Sequence, residues 1–194
     1  MRPPYLYRRD FLPQEAATLL ERLQAELAWV RRDAPRSEYY VNAANVPYTY
    51  GQGMGRRTYQ PQPEHPAIAY VRAKVELALG VPFEVCFLNR YHTQSDHLGW
   101  HADDSPTMDD ARPIAIVSLG VEREIWFRPI PPAAARAREH TTDLVSALTL
   151  HSGSLCVMAA GMQRTHQHRI PKAGFLCGER ISLTFRGYIQ AKEV

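Results

Sequence analysis

Apolar residues in the first third of the chain recur at helical spacing. Leu19, Leu20, Leu23, Leu27 and Val30 form one stripe behind Leu12-Pro13-Gln14-Glu15. That run reads as a helix start, because proline tolerates the first turn and an acidic side chain suits the positive end of the helix dipole. A second stripe, Ile68, Val71, Val75 and Leu79, predicts a helix from about Pro66 to Leu79 with Gly80 as its stop. From Phe83 the texture changes to short runs rich in β-branched and aromatic residues: 83–91, 113–119, 122–128, 144–150, 154–158 and 180–189. Glycines and polar clusters separate these runs and no helical period lies between them, so βαβ crossovers are disfavoured and an antiparallel sandwich or barrel is expected.

The predicted fold is α+β and mainly β: a double-stranded β-helix (jelly roll) with two supporting N-terminal helices. One domain is expected over 1–194, with helical support in 1–82 and the jelly-roll core in 83–190. The stretch 36–62, rich in Tyr, Gly, Pro and Asn, reads as a loop and a nucleotide-facing lid. A second loop is expected over 129–142, which holds three prolines with Arg136 and Arg138.

Composition narrows the class. The chain has 194 residues, 45% of them hydrophobic, enough for a packed core. Its 23 Lys+Arg against 20 Asp+Glu leave a net charge of +3, compatible with a polyanionic partner without demanding one. Cys86, Cys156 and Cys177 are odd in number and form no CxxC pair, which argues against a thiolate metal site and points to a reducing cytoplasm. Apolar runs fall short of the roughly 20 residues that span a bilayer, and charges stand where a signal sequence would need an apolar block. A cytoplasmic monomer with no membrane partner is expected.

The chemistry concentrates in a few segments. In Gly99-Trp100-His101-Ala102-Asp103-Asp104, an extended backbone points His101 and Asp103 to the same side, so both can reach one ion. Far downstream, His166 or His168 can supply a third ligand. Two histidines and one carboxylate on one face leave three octahedral positions open, the arrangement of non-haem iron oxygenases, whereas zinc favours a closed tetrahedral set. Arg180 through Arg186 alternates strictly, with both arginines on one face and Ile181, Leu183 and Phe185 on the other. A jelly-roll interior that holds a dicarboxylic acid needs such a cation, and arginine offers a planar bidentate clamp. Alternation along 83–91 puts Asn89 and Tyr91 on one face, an amide and a phenol suited to the oxygens of an oxo-acid. The charged run Glu122–Arg128 can bring Glu122 or Arg128 near a substrate.

Taken together, these segments resemble the AlkB family of nucleic-acid dealkylating oxygenases. The resemblance rests on Leu88-Asn89-Arg90-Tyr91, His101-Ala102-Asp103-Asp104, Pro113-Ile114-Ala115 with Ser118-Leu119-Gly120, Gln167-His168-Arg169-Ile170-Pro171, and the run from Arg180 to Arg186. It implies Fe(II) held by His101, Asp103 and His168, with His166 a pocket neighbour. It further implies 2-oxoglutarate held at its distal carboxylate by Arg180 and contacted by Asn89 and Tyr91, and Arg186 near the iron-bound end of that cosubstrate. Asp104 matches an acidic position that orients Arg186 or the substrate base. The implied reaction consumes O2 and 2-oxoglutarate and removes N-alkyl groups from DNA or RNA bases, single-stranded or extruded, releasing formaldehyde, succinate and CO2. In the expected lid, Tyr48 and Tyr50 are candidates to stack a base, and Arg56, beside Arg57, to hold phosphate. Two other readings stay open: a hydroxylase of the same fold acting on a protein or small molecule, and an inert metal-binding module, which would have no use for the arginine clamp.

Overall fold

The structure, a computed structural model, describes residues 4–32, 35–50, 56–130 and 145–189. In chain order the elements are β1 (Tyr5–Arg8), α1 (Ala16–Glu26), β2 (Ser37–Asn42), β3 (Tyr48–Tyr50), β4 (Arg57–Tyr59), α2 (Pro66–Leu79), β5 (Val85–Tyr91), β6 (Leu98–His101), β7 (Ile114–Gly120), β8 (Arg123–Pro129), β9 (Ser146–Leu150), β10 (Ser154–Met158), β11 (His166–Ile170) and β12 (Arg180–Arg186), with a 3-10 turn at Met162–Arg164.

Local chemistry sets α2. The His65 side chain accepts the Ala67 N–H at 3.1 Å, Pro66 occupies the first turn, and Gly80 takes the left-handed cap at φ 69° with its N–H on Glu76 O. Ile68, Val71 and Val75 are fully buried, each removal from water contributing about 1.5–3 kcal/mol. α1 is shorter than its apolar spacing predicts. Leu27 is already extended, and Val30 leaves the stripe to exchange backbone hydrogen bonds with Glu38.

Strands β1-β10-β7-β12-β5-β2 form an antiparallel sheet of six, and β6-β11-β8-β9 an antiparallel sheet of four. This two-sheet, jelly-roll arrangement is mainly β, as the sequence predicts. Both faces of the larger sheet are covered, and side-chain alternation sorts residues between them. Toward the helices it sends Cys86, Leu88, Ala115, Val117, Leu119, Ile181, Leu183 and Phe185, packed with Leu19, Leu23, Ile68, Val71 and Val75. Toward the smaller sheet it sends Tyr91, Ile114 and Ile116, packed with Ile125, Phe127, Leu150 and Ile170.

The expectation of a loop over 36–62 is corrected: it contains β2, which pairs with β5, and the hairpin β3–β4. β2 is buried along its whole length, with Tyr39 and Val41 in the helix-side core. Its sequence lacks the polar-out pattern of a half-exposed strand because both of its faces are covered. Most of the loop expected over 129–142 lies outside the described residues, and β8 continues through Pro129.

Candidate active site

Cross-strand register brings two of the predicted ligands together. β11 pairs with β6 so that His168 stands directly opposite His101, their ring centroids 4.2 Å apart. Asp103 follows β6 beyond its end, and its backbone N–H donates to the buried Gln163 Oε1 at 3.0 Å, which fixes the turn. Asp103 Oδ1 then lies 3.6 Å from His101 Nε2, and Oδ2 lies 3.8 Å from His168 Nε2. One ligand atom from each of the three residues falls within 4.8 Å of the others. His166, two residues before His168, is half-buried, hydrogen-bonds Thr165 Oγ1 through Nδ1 and stands apart from this cluster.

The electrostatics suit a cation. Burial holds both imidazoles in the neutral form, pushing His168 down to about 3 and lowering His101. Burial opposes ionisation of Asp103, but the Arg186 guanidinium outweighs it and holds the carboxyl below its usual range. Arg186 Nη2 donates to Asp103 Oδ1 at 2.7 Å, while the buried Oδ2 has no hydrogen-bond partner. The His101 Nδ1–H donating to Gly99 O at 2.9 Å would leave Nε2 as the ligand atom. Two neutral nitrogens, a carboxylate and an orphaned carboxylate oxygen fit a divalent metal with open coordination positions.

Along β12, the face opposite Ile181, Leu183 and Phe185 carries Arg180, Ser182, Thr184 and Arg186, all buried between the sheets. Arg180 is fully buried. Its Nη2 donates to Ser118 Oγ at 2.8 Å and its guanidinium lies 5.2 Å from the Tyr91 ring centre, yet Nε and Nη1 have no hydrogen-bond partner. No carboxylate pairs with it among the described residues, and burial lowers its proton affinity. A buried guanidinium with two unmet donors fits a carboxylate ligand.

A cavity of about 380 Å³ opens onto His101, Asp103 and Arg186. Tyr48, Tyr50, Tyr59, Arg36, Arg57 and Trp100 line it, together with Asn89. Tyr48 is buried against Arg186; burial drives its phenol up to about 12 despite that neighbour. Asn89 faces inward beside Tyr91, and its Oδ1 accepts Arg36 Nε–H at 2.6 Å. Arg36 Nη2 also pairs with the buried Glu38 at 2.8 Å. Arg56 and Asp104 are exposed and do not line the cavity, whereas Arg57 does. Glu122 is exposed at a second cavity, and Arg128 lies over Trp100 on the outer face of the smaller sheet. Sequence reasoning missed Arg36, Glu38 and Tyr59 as neighbours of the site. β2 is buried on both faces and carries no polar-out alternation that would have marked Arg36 and Glu38 as neighbours of the site.

A family model described as the 2OG-Fe(II) oxygenase superfamily matches residues 5–186. The human protein named alpha-ketoglutarate-dependent dioxygenase alkB homolog 3 is 29% identical over 181 residues, which cover 89% of this chain and 62% of that protein. The mouse protein named DNA oxidative demethylase ALKBH2 is 32% identical over 159 residues, covering 82% and 64%. The chain thus spans a little under two-thirds of the length of these relatives. A solved structure titled "The structure of OsALKBH1" matches with a TM-score of 0.66 at 17% identity over 97% of this chain and 98% of that one, a likeness of fold.

Proposed function

Since the chain belongs to the 2OG-Fe(II) oxygenase superfamily, we propose that it is a dioxygenase that removes N-alkyl groups from nucleobases in DNA or RNA. One observation carries the reading: a buried His-Asp-His set keeps an orphaned carboxylate oxygen, and two of its members, His101 and Asp103, line a cavity walled by tyrosines and arginines. The names of the human and mouse relatives support both the cosubstrate and the class of substrate.

In this reading His101 Nε2, Asp103 and His168 Nε2 hold Fe(II), and Arg180 clamps the distal carboxylate of 2-oxoglutarate through its two unmet nitrogens, Nε and Nη1. Asn89 and Tyr91 flank that cosubstrate. When bound, iron with 2-oxoglutarate and O2 supplies the oxidation that converts an N-methyl to an N-hydroxymethyl group, with succinate and CO2 as co-products. The hydroxymethyl group then leaves nitrogen as formaldehyde. The protein fixes an open ligand set and keeps water away. Arg186 holds the Asp103 carboxylate in its ionised, inward orientation, and Phe127, fully buried beside His168, helps keep the interior dry. Tyr48, Tyr50 and Tyr59 offer apolar faces to a planar base, and Arg57 offers a cation to its phosphate. We place this activity in a cytoplasmic monomer; the three free thiols support a reducing compartment.

Anaerobic titration with Fe(II) and 2-oxoglutarate should produce a visible charge-transfer band that His168→Ala abolishes and His166→Ala retains. Oligonucleotides carrying N1-methyladenine or N3-methylcytosine should then release formaldehyde with stoichiometric succinate. A normal band with no formaldehyde from methylated DNA or RNA, but succinate formed with another substrate, would sink the nucleic-acid reading and leave the oxygenase.

A further inference from the structure

The outer face of the smaller sheet carries an alternating stack of cations and indoles, of which Trp100 alone also lines the active-site cavity. The Arg169 guanidinium lies 4.3 Å from the Trp126 ring centre and 4.9 Å from that of Trp100, and the Arg128 guanidinium lies 4.3 Å from Trp100. The order Trp126, Arg169, Trp100, Arg128 follows from register. Arg169 pairs with Trp126 across β11 and β8, and Trp100 precedes His101, the partner of His168. Alternation turns these side chains outward while His101, His168 and Phe127 turn in. Beside the stack lies a second cavity, of about 720 Å³, to which Trp126, Arg169, Lys172 and the exposed Phe175 contribute. It shares Leu98 and Gly99 with the active-site cavity, whose own wall includes Trp100.

We propose that this outer face binds the single-stranded flank of the nucleic acid whose target base enters the active site, Arg169 and Lys172 taking its backbone phosphates. The inference rests on the nucleic-acid reading above and adds where the rest of the strand runs. A guanidinium stacks by its faces and donates by its edge, so sandwiching Arg169 between two indoles fixes its rotamer and leaves in-plane N–H groups for phosphate oxygen. Arg169 and Lys172 have no carboxylate partner among the described residues, and Arg169 Nε, itself buried beneath the stack, has no hydrogen-bond partner. Of the carboxylates beside the cavity, Glu124 Oε2 accepts the Trp126 indole N–H at 2.8 Å and Glu122 lies 3.7 Å from His151, so neither pairs with Arg169 or Lys172. A ladder serving only to cover the sheet would need neither a guanidinium without a carboxylate partner, as at Arg169, nor a path to the catalytic mouth. Charge complementarity and continuity with that mouth both point to a polyanionic strand.

The test compares strand lengths. Fluorescence anisotropy with an unmodified single strand of about twelve nucleotides is measured alongside kcat/KM on a methylated strand of that length and on a methylated trinucleotide. Trp126→Ala, which unseats Arg169, and the double variant Arg169→Gln/Lys172→Gln are each set against wild type. Expected are about tenfold weaker binding and turnover on the long strand, near-unchanged turnover of the trinucleotide, and a salt slope for the double variant smaller by about 1.4, or 0.7 per phosphate lost. Equal losses on both lengths would mean a disturbed fold or metal site, and no loss on the long strand would mean an inert face; either overturns the proposal. If wild type binds the unmodified strand through this face but releases no formaldehyde from any methylated one, the surface stands and the dealkylation reading falls.

Discussion

Arg180→Met separates a ligand clamp from a structural cation, because the two roles predict opposite effects on stability. In the free protein Arg180 is fully buried, with a hydrogen bond from Nη2 to Ser118 and two nitrogens, Nε and Nη1, unmet. An uncompensated charge in the interior costs several kcal/mol, so removing it relieves more than the roughly 1 kcal/mol lost with the Ser118 bond. Methionine of similar length fills the same space. The variant without ligand should therefore unfold at the same denaturant concentration as wild type or a higher one. Toward 2-oxoglutarate the effect is a loss. Two charge-assisted bonds at about 1.5–3 kcal/mol each amount to roughly 3–6 kcal/mol, or about a 10²- to 10⁴-fold higher Kd. The assay is chemical denaturation with Mn(II) as a redox-inert ion, with and without 2-oxoglutarate. At 100 times its Kd the ligand should stabilise wild type by about 2.7 kcal/mol and leave the variant unmoved. Arg180→Lys should fall between them, since it keeps the charge and loses the fork. A Kd within threefold of wild type, or a ligand-free variant destabilised by more than about 2 kcal/mol, would refute the clamp.

Other perturbations reach different parts of the molecule. Asp103→Asn removes a metal ligand and strands the buried Arg186, so metal content after Fe(II) loading should collapse while apo stability falls by about 3–5 kcal/mol; retention of stoichiometric metal would exclude Asp103 as a ligand. Phe127→Ala, fully buried and stacked on Tyr5 at 5.0 Å, should cost about 3–5 kcal/mol in urea denaturation, and a cost under about 1 kcal/mol would show that the space between the sheets collapses freely. Acid should destabilise the fold in part through Glu179. Burial opposes its charge, but hydrogen bonds from Arg90, Gln24 and His92 win and hold its pKa below the ordinary value. A depressed folded pKa means stability that is present above the unfolded value and lost as pH falls through the folded one. The drop in denaturation midpoint on acidification below the ordinary glutamate range should be shallower in Glu179→Gln, and an unchanged slope would remove Glu179 from the account.

The sequence exposed elements whose stop signals are local and hid those whose partners are distant. α2 was legible to the residue because Pro66 and Gly80 bracket it. α1 was read too long, since Val30 keeps helical spacing while its backbone bridges to Glu38. β2 was missed because Glu38 and Tyr40 face the interior and Tyr39 and Val41 the helices, so no polar-out alternation survives and its partner β5 lies about forty residues downstream. β6 and β11 were missed for another reason. Each is short and carries a metal-site histidine on one face and the Trp–Arg ladder on the other, so function displaces the residues that would advertise a strand. His101 and Asp103 were legible as neighbours, but preferring His168 to His166 without family knowledge requires the β6–β11 register, which no spacing encodes.

β12 shows how far a pattern can be pressed. Every residue of this strand is buried, and both faces meet packed protein, so fold stability alone would favour an apolar residue at each position. Four of seven are polar or charged, all on one side. Placing two guanidinium groups in that row opposes folding unless something compensates each of them. Arg186 is compensated by the protein itself, through Asp103. Arg180 is not: its Nε and Nη1 have no hydrogen-bond partner in the protein. The alternation made the row visible in the sequence, but the difference between its two arginines exists only in three dimensions. It lies in which of them the surrounding protein provides with a carboxylate, and the other is the one that the proposed function assigns to the cosubstrate.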